Sequence, residues 1–218
     1  MCIAPSLTLS DDVAIVGSGG IYAKNLVGYN GVLTNTSRGS RIDGHTDVIR
    51  FNRAPTKGYE NIVGSKTTLR VTNNHVFNNN DISNEGYTDQ PKNFIRELKD
   101  SRILYVAQDI APWANRESNT DPSCELYLYD WWGSYEGLRK AASLPSDKNL
   151  SVGMVMMYLC IASGITPTLY GFGIEPDDPR DHYWETRPPA SAVHDISKEK
   201  NILKELARHK KIRISALC

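Results

Sequence analysis

Gly17-Ser18-Gly19-Gly20 directly follows the run Val13 to Val16 and precedes helix-compatible residues from Ile21 to Leu26. Backbone amides in such a turn can approach a phosphate closely, and the positive end of a helix favours the anion. The spacing is not the full dinucleotide fingerprint, which needs a third glycine and an acidic residue about 20 positions on, so a tight structural turn is the competing reading. Two further apolar runs, Val48 to Asn52 and Thr68 to Asn73, each close on an asparagine and put polar amides at strand ends. The histidines are His45, His75, His182, His194 and His209. A neutral imidazole with a pKa near the working pH is the ordinary group to take a proton from a hydroxyl. Asp177-Asp178 stands beside two prolines and reads as a solvated turn, so no metal site is expected. Cys2, Cys124, Cys160 and Cys218 are too scattered for a zinc site or redox dithiol, and free thiols are expected, with Cys160 a small buried hydrophobe.

The elements that must position these residues alternate. The strand at Val13 to Val16 and those ending on Asn52 and Asn73 are followed by a polar loop from Asn74 to Gln90 and a helix at Phe94 to Leu98. A buried strand at Arg102 to Val106 precedes an irregular stretch, Pro112 to Asp121. The aromatic cluster Tyr127, Tyr129, Trp131, Trp132 and Tyr135 leads to a weaker helix through Ala142, and core packing is its first reading, ahead of stacking on the face of a sugar. Ser151 to Ser163 reads as a buried helix, Thr168 to Phe172 as a strand, His194 to His209 as an amphipathic helix and Lys211 to Ser215 as a last strand. Such alternation predicts an α/β, Rossmann-like, mostly parallel sheet flanked by helices, formed by residues 1–218 as a single domain.

The 218 residues carry 25 Lys and Arg against 25 Asp and Glu, so nothing pulls the chain onto phosphate backbones or anionic lipid, and nucleic acid is not an expected partner. No apolar run reaches the roughly 18 residues of a membrane span, and Met1 to Ser10 does not read as a signal peptide. The oligomeric state is not encoded.

Between Ile42 and Asn73 lie Ile42-Asp43-Gly44-His45, then Arg50-Phe51-Asn52-Arg53-Ala54-Pro55 and Val63-Gly64-Ser65-Lys66-Thr67-Thr68. This succession resembles the long sialylmotif of the eukaryotic-type sialyltransferases. Ser151-Val152-Gly153-Met154 with Leu169-Tyr170-Gly171-Phe172-Gly173 is similar to the short motif, His182-Tyr183-Trp184-Glu185 to the third, and His194 with Glu199 to the H-x4-E motif. All occur in family order. The chain departs from the family where Leu150 replaces a proline and where Val152 replaces a Ser or Thr, which removes one hydroxyl contact. The family's paired cysteines fall on Val13 and Gly164, a joint loss that suits the cytoplasm or another reducing compartment.

The resemblance implies a GT-A-type variant fold and transfer of sialic acid from CMP-sialic acid to a hydroxyl of a glycan acceptor, with inversion and without metal or other cofactor. In the implied donor site Ser18, Gly19 and neighbouring amides, with Asn52 and Asn73, hold the nucleotide. Ser151, Val152 and Gly153 meet its ribose and phosphate at a helix start. His194 is the implied base, kept neutral by the helix's positive end. His182 and Tyr183 donate to the leaving phosphate, Glu199 fixes local helix geometry, and Lys200 either reaches the donor or is a solvated surface lysine. His45 orients a turn. CMP-Kdo is an alternative donor that the motifs do not separate. A NAD-binding oxidoreductase on the glycine turn, and a silent nucleotide-binding or glycan-binding module, are readings of other classes. The first lacks its acidic ribose partner; the second sits poorly with retention of His182 and His194.

Overall fold

The computed structural model describes residues 7–18, 37–77, 94–107, 116–130, 137–172, 183 and 194–215. Seven strands run in chain order: β1 (Val13–Val16), β2 (Asp47–Phe51), β3 (Leu69–Thr72), β4 (Arg102–Ala107), β5 (Glu125–Asp130), β6 (Thr168–Tyr170) and β7 (Arg213–Ile214). They form one sheet in the order β5-β4-β3-β2-β1-β6-β7, and every pairing among them is parallel. The helices are α1 (Ser37–Asp43), α2 (Glu60–Val63), α3 (Asn74–Phe77), α4 (Phe94–Glu97), α5 (Arg116–Asn119), α6 (Val152–Ala162) and α7 (Ile196–Arg208). No described helix is long and apolar enough to cross a membrane.

The central strands are buried on both faces; β1 is a continuous apolar run, whereas β2 and β3 also bury Arg50 and Arg70. On one face Ile15, Phe51, Val71 and Leu104 pack with Met154, Val155 and Met157 of α6 and with Leu203 of α7. On the other, Val16 and Val48 pack on Ile42 of α1 and on Ile62 and Val63 of α2, while Ile103 and Tyr105 pack on Val76, Phe77 and Ile95. Arg50 and Arg70 are paired across β2 and β3 on this second face.

Three readings of the sequence are corrected. Glu125–Asp130 is a strand, not only an aromatic cluster. Its alternation is hidden because both faces are apolar, with Tyr127 in one core cluster and Leu126 and Leu128 against another. Asn74–Phe77 is a helical turn inside the expected loop, started when the Asn73 side chain accepts from the Val76 N–H at 3.1 Å. Arg116–Asn119 is likewise a helical turn within the stretch read as irregular. The helix expected at Ile21 to Leu26 lies outside the described residues.

Candidate active site

From β1 the chain works outward through β2 to β5 and then returns to β6 on the other side of β1. The switch point of the sheet therefore lies between β1 and β6, and in open α/β sheets ligands bind outside the carboxyl ends of the strands at such a point. Gly17 leaves β1 here, its N–H donating to the Tyr170 carbonyl at 2.7 Å. A Cβ on Gly17 would stand 2.7 Å from the Gly171 carbonyl oxygen and 3.0 Å from the Phe172 ring. The same ring is met by Gly153: a Cβ there would lie 2.9 Å from Phe172 Cε1 and 3.7 Å from Phe51 Cε2. Two missing side chains thus let a half-buried phenyl ring sit between the end of β1 and the start of α6. The motif residues include Phe172, but only the clearance at the two glycines reveals its place.

Ser151 caps α6, its hydroxyl accepting from Met154 N–H at 3.3 Å. The N–H groups of Val152 and Gly153 point out of the first turn with no intrahelical acceptor, as helix geometry dictates. The partly buried Val152 side chain packs against the core. Glu199, buried in α7, accepts from Ser151 N–H at 2.6 Å and Ser151 Oγ at 2.8 Å. Burial raises the Glu199 carboxyl above its ordinary value, against the opposing pull of the Ser151 donors and of His194.

His194 forms a parallel bridge with Asn149, and its Nδ1 lies 2.9 Å from the Asn149 carbonyl oxygen. A carbonyl can only accept, so Nδ1 carries the proton and the neutral ring's lone pair is on Nε2. The expected neighbourhood of a helix start is modified: α7 is capped by Asp195, whose side chain accepts from Lys198 N–H, and His194 stands outside it. The tautomer is set by the Asn149 carbonyl, which no motif contains as a residue type.

Asn52 and Asn73 come together at the ends of β2 and β3. Asn52 adopts a left-handed conformation, φ 45°, and its Oδ1 accepts from Asn73 N–H at 3.1 Å. With the Asn73 oxygen capping α3, the oxygens are engaged and each Nδ2 group makes no hydrogen bond among the described residues. Ser18 stands at the switch point, its carbonyl accepting from Tyr183 N–H at 2.9 Å. Lys200, half-buried on α7, makes no side-chain hydrogen bond or ion pair among the described residues. Gly19 and His182 lie outside the described residues.

Tyr183 is placed differently from a phosphate donor. Its hydroxyl donates to the Pro55 carbonyl, its ring packs edge-on against Tyr59, and only 5% of it is exposed. Burial drives the phenol far above its ordinary pKa. Both its donors serve to pin its own segment to the ends of β1 and β2, which corrects the expected contact with a leaving group.

Much of the long motif is scaffold. Asp43 accepts from the N–H groups of Ser65 and Lys66 and from the Ser65 hydroxyl at 2.9–3.0 Å. Burial pushes this carboxyl up, but those hydrogen bonds outweigh it and the net shift is downward. Gly64 sits against Asp43 at φ 72°, a conformation open to glycine at little cost. Arg50 donates to the carbonyls of Lys66 and Val63. His45 orients the entry to β2 as expected, its Nδ1 2.6 Å from Asp12 Oδ1 and its Nε2 2.9 Å from the Tyr170 hydroxyl.

With Gly17 and Ser18 at the end of β1, Asn52 and Asn73 at the ends of β2 and β3 and the start of α6 at Ser151, the parallel sheet has a Rossmann-like fold that gathers these groups at the carboxyl ends of its strands. The family model of glycosyltransferase family 29 (sialyltransferase) matches residues 12–102 and 98–211, and the chain belongs to that family. Human CMP-N-acetylneuraminate-beta-galactosamide-alpha-2,3-sialyltransferase 1 is 31% identical over 221 residues, 87% of this chain and 57% of the relative. Mouse CMP-N-acetylneuraminate-beta-1,4-galactoside alpha-2,3-sialyltransferase is 30% identical over 215 residues, 84% of this chain and 54% of the relative. The chain thus spans little more than half the length of these relatives. A crystal structure of a mammalian sialyltransferase in complex with Gal-beta-1-3GalNAc-ortho-nitrophenol superposes with a TM-score of 0.64 at 24% identity, over 93% of this chain and 68% of that one, and shares the fold.

Proposed function

We propose that the chain transfers sialic acid from CMP-sialic acid to a hydroxyl of a galactoside-bearing glycan, with inversion and without a metal. The observation that carries the reading is the His194 bond to the Asn149 carbonyl, which leaves Nε2 as a base beside the helix start at Ser151. In this mechanism Nε2 takes the proton of the acceptor hydroxyl. The hydroxyl oxygen forms a bond to the anomeric carbon from the face opposite CMP. The bond from that carbon to the phosphate oxygen breaks, and its electron pair leaves with CMP. The N–H groups of Val152 and Gly153, with the positive end of α6, offset the departing charge. His182 is assigned the same task on its motif position alone. The Nδ2 groups of Asn52 and Asn73, with Ser18, Gly19 and Lys200, hold the nucleotide. A single phosphate needs less charge neutralisation than a pyrophosphate, which favours a metal-free site, and no cofactor beyond the donor is invoked. The galactoside acceptor is carried over from what the relatives' names state.

The test is release of CMP from CMP-N-acetylneuraminate with galactose-terminated acceptors, with CMP-Kdo as a second arm and excess chelator as a third. An α-linked sialoside formed with chelator present is expected. Release from CMP-Kdo alone would change the donor, and absence of CMP binding altogether would remove the reading.

A further inference from the structure

Arg70, in β3, is 6% exposed, and no carboxylate approaches it among the described residues. Its Nη1 donates to the carbonyls of Asn52 at 3.3 Å and Ala54 at 3.1 Å, its Nε has no partner, and its guanidinium lies 5.3 Å from the centre of the Phe94 ring. Arg50 stands beside it in register. Burying a guanidinium without a counter-charge is costly, and a like charge on the neighbouring strand adds to the cost. A bound anion nearby would lower that cost. What Arg70 grips is the turn Asn52-Arg53-Ala54, which begins with a residue at φ 45°. Left-handed backbone at a non-glycine residue persists only where its surroundings enforce it. Asn73 is three residues beyond Arg70, about 10 Å along the strand, in a layer where charges are weakly screened.

We infer that Arg70 is a positioning residue of the donor site: it clamps the left-handed turn that presents Asn52, and its buried charge is offset by the donor's phosphate when the nucleotide binds. The inference rests on the CMP-sugar reading given above. It separates two tasks, since the clamp affects any ligand of Asn52 whereas the charge acts only on one that carries a phosphate. Burial followed by the Arg50 charge lowers the guanidinium to about 10, consistent with an uncompensated cation.

The experiment measures affinity for CMP and for cytidine by calorimetry between pH 7 and pH 10 in the full chain and in Arg70→Met and Arg70→Lys. Arg70→Met is expected to bind CMP about tenfold more weakly and cytidine only a few-fold more weakly. Arg70→Lys keeps the charge on a group whose pKa falls readily when buried. It is therefore expected to bind CMP nearly as tightly as wild type at pH 7 and to lose that affinity at a lower pH than wild type does. Equal weakening of CMP and cytidine in Arg70→Met, or a Lys variant whose pH profile parallels wild type, would overturn the inference. If Arg70→Met does not fold, the Lys profile decides; two unfolded variants would make Arg70 a scaffold residue and overturn it as well. A wild-type chain that fails to bind CMP would instead remove the donor reading itself.

Discussion

His194 owes its proposed role to a single bond. Because the Asn149 carbonyl accepts a hydrogen bond from Nδ1–H, Nε2 is the ring nitrogen able to take a proton. His194→Ala should therefore lower turnover by about a hundredfold to ten-thousandfold, the usual share of general-base catalysis, while CMP affinity stays close to wild type. The acidic limb of kcat/KM should vanish in the residual activity; an unchanged limb would assign the base to another residue. Asn52 can be replaced by glycine without backbone strain, and the change also removes the acceptor of the Asn73 N–H. Asn52→Gly should keep the melting temperature within a few degrees, since φ 45° suits glycine, yet weaken CMP binding by the roughly 0.5–1.5 kcal/mol of a lost hydrogen bond. CMP affinity unchanged in a folded Asn52→Gly protein would move the nucleotide elsewhere.

At the scale of elements, α6 and α7 are tied where their charges meet: Glu199 of α7 holds both donors of Ser151, the cap of α6. The linkage has a definite sign. Burial raises the carboxyl in the folded state above its unfolded value of about 4.3. The native chain thus holds that proton more tightly than the unfolded chain does. The stability this contributes is complete below the unfolded value and is lost as pH rises through the folded one. Glu199→Gln removes that dependence and keeps an acceptor for Ser151. Its melting temperature should equal or exceed wild type at pH 8, and wild type should gain on it as pH falls toward 4.5. A variant much less stable at pH 8 but matched to wild type at pH 4.5 would show that the ionised carboxylate is a net stabiliser. The pair also shows what spacing can reveal. His194 and Glu199 were legible as a motif, and a helix start at Ser151 followed from the pattern. The partner of each was not, because one is a backbone carbonyl and the other lies 48 residues away. Asn73 was likewise legible as a strand-end amide, while the use of its oxygen as a cap for α3 depends on backbone that an Asn-rich stretch disguises.

The sheet was readable where a strand is a short β-branched run, as in β1, and β5 escaped because its tyrosines run on in sequence into Trp131, Trp132 and Tyr135 and read as one aromatic cluster. The positions of the family's paired cysteines raise a question about the whole molecule, namely what holds it together. Val13 is fully buried in β1 and paired with Asp47; Gly164 follows α6 at φ 81°, where glycine ends the helix without strain. Each is thus accommodated in its own element. The thiols within the described residues, Cys124 and Cys160, are free. Cys124 Sγ donates to the Leu98 carbonyl at 3.2 Å, whereas Cys160 is wholly buried on α6, and burial pushes its thiol up to about 12. Cys160 lies in the core where α6 packs against the sheet, so its thiol can be used to report on that packing. A reductant should leave the unfolding midpoint unchanged. Under native conditions an alkylating reagent, followed by mass spectrometry of each cysteine peptide, should modify Cys124 through local opening. Cys160 should be modified only at the rate of global unfolding, because the thiolate is the reactive form and neither water nor reagent reaches it while α6 is packed. Adding mild denaturant should accelerate Cys160 labelling with the full slope of global unfolding and Cys124 labelling with a smaller one. Equal rates at the two sites, or a midpoint that drops on reduction, would mean that the core around α6 opens on its own or that a disulfide does carry the fold.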